Sequence, residues 1–164
     1  MSECGAIEAF GMDEFPKIPQ NYKGFHVLPS VITLKLNDSS TITLRNSSNF
    51  PVLYKIKCTS NYRISILDCA GILRPERETV ILVYRHNCEI NATDRFLIIY
   101  TLVGMQWCIN DANALLCWQR AKAQQIPTKT IILTAKLNIY TVTKVYGKRK
   151  KKKHQFMHAR RKKN

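Results

Sequence analysis

The side chains able to bind a metal or pair as nucleophile and base are few. The histidines are His26, His86, His154 and His158; the cysteines are Cys4, Cys58, Cys69, Cys88, Cys108 and Cys117. A zinc site draws on two closely spaced ligand pairs. His86-x-Cys88 offers one pair, with no second at zinc spacing. His154-x-x-x-His158 would share a helix face, but the lysines and arginines around it repel a cation. The chain has no C-x-x-C, G-x-S-x-G, phosphate-binding loop or H-E-x-x-H run, and its acids are scattered. The sequence therefore predicts no enzyme, no metal centre and no cofactor.

The strongest chemical signal is positive charge, and it is local. The net charge is +15, with 26 basic and 11 acidic residues in 164. Residues 144–164 hold 11 of the basic residues and no acid, so the remaining 15 exceed the acids by only four. Two runs carry this tail: Lys148, Arg149, Lys150, Lys151, Lys152 and Lys153, then Arg160, Arg161, Lys162 and Lys163. Like charges at that density repel and favour an extended, disordered chain. The tail suits nuclear import, a nucleic-acid contact or an anionic membrane surface.

Composition places the rest. At 45% hydrophobic, the chain can build a core without disulfide staples. The cysteines read as buried free thiols of a reducing compartment. The N-terminus lacks the basic and apolar regions of a signal peptide. The apolar window 96–109 is interrupted and too short to span a bilayer. A cytoplasmic location is expected, with the nucleus open through the tail. Three parts follow: a flexible arm over 1–23, one domain over 24–143 and the tail over 144–164.

The elements that would position any site are short strands. Val52–Cys58 alternates strictly: Val52, Tyr54, Ile56 and Cys58 face one way, and Leu53, Lys55 and Lys57 the other. Successive strand side chains take opposite faces, so both lysines are predicted on an outer face. Further strands are predicted at 31–36, 41–45, 62–67, 79–84, 94–101 and 129–137, the last extending toward 143. A polar loop is expected over 85–93, and residues 70–73 read as a turn. Asn110 or Asp111 can cap one helix over 112–125, ended by Pro127, with Leu115 and Trp118 on its packed face. Seven or eight strands and one short helix predict an all-β sandwich. An antibody-type domain fits poorly, because no tryptophan lies between plausible inter-sheet cysteines at the expected spacing.

The order of these pieces resembles the major sperm protein domain, a family that includes the VAMP-associated proteins. Leu44-Arg45-Asn46 matches the end of the family's second strand. Tyr54-Lys55-Ile56-Lys57-Cys58-Thr59 matches its aromatic-Lys-x-Lys-Thr-Thr run, and Gly71-Ile72-Leu73-x-Pro75 its crossing segment. Asp94-Arg95-Phe96-Leu97-Ile98-Ile99-Tyr100-Thr101 resembles a strand of the sperm proteins themselves. The likeness covers about residues 24–140 and is weakest over 102–127.

The resemblance implies an immunoglobulin-like, seven-stranded sandwich of the PapD kind that works by protein–protein interaction. Nematode sperm members assemble into cytoskeletal filaments, which implies self-assembly or assembly with related chains, the reading that the likeness of residues 94–101 to the sperm proteins favours. VAMP-associated members read acidic peptides carrying two phenylalanines. Their peptide-binding positions correspond here to Lys57, Thr59, Arg95 and Leu97. Arg95 and Leu97 share a face by parity, and Lys57 faces outward, so cations would flank an apolar floor.

Overall fold

The computed structural model describes residues 13–86, 94–108 and 113–137. The basic tail, Cys4 and Cys88, His154 and His158, and the expected extension of the last strand lie outside them.

Two sheets face each other. The first, four-stranded, runs β1 (Phe25–Leu28), β3 (Ser39–Asn46), β7 (Arg77–Arg85), β5 (Ile64–Ile66). The second, five-stranded, runs β2 (Val31–Leu34), β9 (Lys129–Leu137), β8 (Arg95–Leu102), β4 (Val52–Cys58), β6 (Ala70–Leu73). Neighbours pair antiparallel except β2 and β9, which are parallel. The nine segments reduce to seven strands. β1 and β2 are halves of one edge run that changes sheets around Pro29, and β5 and β6 are halves of a crossing segment.

The core forms where the alternating positions of the two sheets meet. Ile32, Leu34, Ile42, Leu44, Ile81, Val83, Phe96, Ile98 and Leu133 are all essentially inaccessible. A buried polar knot ties one end. Asn46 is fully buried, and its amide nitrogen donates to the carbonyls of Phe50, Leu73 and Arg74 at 2.8, 3.0 and 3.2 Å. Its oxygen accepts from the Ser48 amide and hydroxyl at 3.0 and 2.7 Å. Every polar atom of this side chain thus has a partner, which removes the penalty of burying it.

Val52–Cys58 is a strand with the predicted bounds, and its core-facing set packs inward. Leu53 faces the other way with Lys55 and Lys57, yet it is fully buried, because a helix covers it. That helix, α1 (Ala114–Ala123), starts later than predicted. Asn113 caps it, accepting from the Leu115 amide at 2.8 Å. Arg120 and Lys122 in its last turn complement the negative end of the helix dipole. Of the predicted packed pair, Trp118 does pack on the helix-side core, but Leu115 is 64% exposed, and Cys117 and Ala121 are buried against Leu53 and Ile72 in its place.

Four further readings are corrected. Residues 70–73 form strand β6, held by β4 from Val52↔Leu73 to Lys55↔Ala70. Arg85, assigned to a loop, ends β7 and is buried, its guanidinium reaching the Leu34 carbonyl at 3.5 Å. The described cysteines are free, but of these only Cys117 is buried, and Cys69 is exposed. Residues 13–23, assigned to the arm, pack on the domain from Asp13 onward. Phe15 enters the helix-side core, Gly104 donates to the Glu14 carbonyl at 2.9 Å, and Glu14 pairs with Arg120.

Candidate functional site

The outer face of the five-stranded sheet carries the predicted site residues. β8 lies between β4 and β9, so facing positions form rows across three strands. One row is Lys57, Leu97 and Ile132; the next, toward the helix, is Lys55, Ile99 and Thr130. At the far end Arg95 pairs with Thr134, and Thr59 donates its amide to the Arg95 carbonyl at 3.1 Å. Lys57 and Arg95 are exposed, Leu97 is half-buried and Ile132 is 58% exposed. The structure thus brings Lys57, Arg95 and Leu97 together around an apolar strip.

Thr59 stands at the end of this strip with its hydroxyl already engaged. It donates to Asp94 Oδ1 at 2.8 Å and accepts from the Arg95 amide at 3.2 Å. Asp94 is itself nearly inaccessible and held by Arg63, whose Nε and Nη2 lie 3.0 and 2.6 Å from its two oxygens. The Arg63 hydrogen bond, together with Thr59 and the charges of Arg63 and Arg85, outweighs burial and holds the Asp94 carboxyl below the usual carboxylate range. This bidentate pair ties the residue before β5 to the start of β8, and the Thr59 bonds tie the end of β4 to the same carboxylate.

At the helix end, Lys55 lies 4.0 Å from the centre of the Trp118 ring. The Trp118 indole N–H donates to the Tyr54 carbonyl at 3.2 Å, which holds the ring against β4. Burial, then repulsion from Lys57 and Lys122, pulls the Lys55 ammonium below its ordinary value. The strip is therefore cationic at several points: Arg95 at one end, Lys57 along its side and Lys55 with Lys122 at the helix.

Sequence reasoning missed Ile132, Asp94, Arg63 and Lys122. Ile132 was accessible by parity within 129–137. The other three required knowing which chain segments meet. His86 lies elsewhere, its ring nitrogen 2.6 Å from the Ser65 hydroxyl. Among the described residues no group of three His, Cys, Asp or Glu side chains could hold a metal ion. Likewise, no described helix is long and apolar enough to cross a membrane.

Known proteins fit this architecture. The model of the MSP (major sperm protein) domain matches residues 25–123. WR4, an MSP family member of C. elegans, superposes with a TM-score of 0.58 at 13% identity, covering 71% of this chain and 100% of WR4. SSP-19, an MSP-domain-like protein of Caenorhabditis elegans, gives 0.48 at 20% identity, covering 66% and 96%. The E. coli chaperone DraB gives 0.43 at 11% identity, covering 69% and 55%. No curated protein matches the sequence. The family match runs from β1 through α1, leaving β9 outside, and covers more than half of the chain, and the chain belongs to the major sperm protein domain family.

Proposed function

We propose that this chain is a non-enzymatic interaction module that reads acidic peptides carrying two phenylalanines. The observation that carries this reading is the row Lys57–Leu97–Ile132 with Arg95 beside it, an exposed apolar strip edged by cations. Aromatic side chains would bury Leu97 and Ile132, while flanking carboxylates would meet Lys57 and Arg95. Thr59 contributes by holding Asp94 and the Arg95 backbone. Such a reader would act in the cytoplasm. The tail would add a contact with an anionic membrane or nucleic acid, or a nuclear import signal.

The test is titration of a labelled acidic di-phenylalanine peptide against the full chain, followed by anisotropy. Saturable binding is expected, and Arg95→Asp with Leu97→Asp should abolish it. Unchanged affinity in the double variant would reject the reading.

A second reading, self-assembly with its own or related MSP-domain chains as a cytoskeletal component, has a separate observation behind it. The outer face of the four-stranded sheet exposes Leu28, Val80, Leu82 and Tyr84, at 53%, 56%, 44% and 39%. An exposed apolar strip of this kind marks interaction surfaces. Light scattering that stays monomeric across all concentrations would reject assembly.

A further inference from the structure

The outer face of the four-stranded sheet is built in rows. Its side chains alternate along the strands with the buried Ile42, Leu44, Ile81 and Val83. One row is Ser65, Tyr84 and Ser39. The next pairs Leu82 with Thr41, and the Leu67 amide beside them donates to the Leu82 carbonyl at 3.0 Å. The third is Val80, Thr43 and Leu28. No charged side chain stands in these rows, and Glu78, Arg45 and His26 form the row beyond them. Leu28, Leu67, Val80, Leu82 and Tyr84 are between 39% and 57% exposed.

The route to the basic tail starts at one end of this face. Leu137, which ends β9, pairs with Leu34, and four residues join Leu34 to Ser39, the partner of Tyr84. Lys144, the first cation of the tail, is seven residues past Leu137, a reach of about 25 Å at most. Tyr62 is 82% exposed in the turn before β5, at the same end.

We propose that the outer face of the four-stranded sheet lies on an anionic phospholipid surface, with residues 144–164 binding the headgroups beside it. The proposal does not depend on the peptide strip, which is on the opposite sheet and would face away from the bilayer.

Attachment to a bilayer surface grows with the apolar area buried and with the attraction to anionic lipid. Half-exposed leucines on a flat sheet supply a modest first part, and a basic run by itself is weakened by salt. Here both signals meet at one end of one sheet. Tyr62 and Tyr84 suit the headgroup level, where a ring with a polar tip is favoured. A second copy would also cover the rows. It brings its own charge of +15, so like charge opposes that occupant and favours a negative surface.

The experiment is flotation of the full chain with phosphatidylcholine vesicles, with and without phosphatidylserine. Binding is expected only where phosphatidylserine is present. Val80→Ser with Leu82→Ser should weaken it about tenfold, the effect of removing part of two apolar contacts. Heparin, which needs only the tail, should bind this variant and the parent equally. Leu115→Ser with Leu116→Ser takes two leucines of similar exposure from α1 and should leave vesicle binding unchanged. If the Val80 and Leu82 variant is unfolded by circular dichroism, Leu67→Ser at the sheet edge repeats the test, with about a threefold loss.

No binding by the parent would overturn the proposal. Undiminished binding in the folded strip variant would overturn it too, because the tail alone would then hold the vesicles. An equal loss in the α1 variant would mean that exposed leucines act without regard to place, and an equal loss of heparin binding would make the strip a general polyanion site. Either result refutes the lipid face. If light scattering finds the parent dimeric and the strip variant monomeric, with vesicle binding unchanged, the rows belong to a second copy instead.

Discussion

Gly71 faces Tyr54 across the β4–β6 pair, and a methyl group on Gly71 would come within 2.6 Å of the phenol oxygen. The ring carbon bearing that oxygen would be 2.8 Å away. Tyr54 is 5% exposed, and burial raises its phenol above the ordinary value, so the ring has little room to retreat. The glycine is required by contact, since its backbone has no positive φ.

Gly71→Val should therefore lower the melting temperature. Overpacking costs about 1–3 kcal/mol, which for a domain of this size is a fall of roughly 4–10 °C. Gly71→Ala should fall less. Thermal unfolding followed by circular dichroism measures both, and a valine variant melting within a degree of the parent would show that β6 moves freely.

Asp94 couples the fold to pH. Its carboxyl is held below the usual range chiefly by the Arg63 hydrogen bond. A depressed folded value means that the stabilisation is complete above the unfolded value of about 3.9. It is then lost as pH falls toward the folded value. Asp94→Asn should cost about 2 kcal/mol at pH 7, the scale of charge-assisted hydrogen bonds. It should also flatten the loss of stability below pH 4. Denaturant midpoints at pH 7 and pH 3 decide this: parallel shifts at both values would remove Asp94 from the acid response.

The sequence was legible where one rule governs a segment. The bounds of β4 and the outward direction of Lys55 and Lys57 follow from alternation alone. Legibility failed where a partner decides. Residues 70–73, Ala-Gly-Ile-Leu, resemble a turn, and they become strand β6 because β4 supplies the hydrogen bonds. In α1, Leu115 and Trp118 look like the packed face, and of the two Trp118 packs. Small Cys117 and Ala121 instead allow the helix close to Leu53 and Ile72, leaving Leu115 and Leu116 outside. Leu53 looked exposed by parity for the same reason. In the site, Lys57, Arg95 and Leu97 could be assigned to a face. The Arg63–Asp94 pair joins positions 31 apart in sequence, and no local pattern announces it.

The described thiols should separate by reactivity. Burial, then Glu14, pushes the Cys117 thiol up to about 12, so it carries almost no thiolate at neutral pH. Cys69 is exposed, and Cys58 and Cys108 are half-buried with thiols raised by burial. Peptide mapping after brief alkylation at pH 8 should find Cys69 labelled first and Cys117 last. Cys117 should label fully only after unfolding. Early labelling of Cys117 would mean that α1 detaches from the sheet on the timescale of the reaction.

Charge in the tail and charge on the folded strip make separable predictions. Residues 144–164 hold 11 basic residues and no acid, against the scattered cations Lys55, Lys57, Arg95 and Lys122 on the sheet and helix. Polyanion binding releases counterions, so its strength falls steeply with salt according to the number of cations engaged. A dense run engages many at once; four separated side chains engage few. Removing residues 144–164 should therefore abolish heparin binding and leave the melting temperature within a degree or two. Binding of an acidic di-phenylalanine peptide should persist in the truncated chain, with a shallower salt dependence because apolar burial contributes there. Salt titrations of both ligands against both chains measure this. If the truncated chain kept tight, steeply salt-dependent heparin binding, the folded face itself would be the polyanion site.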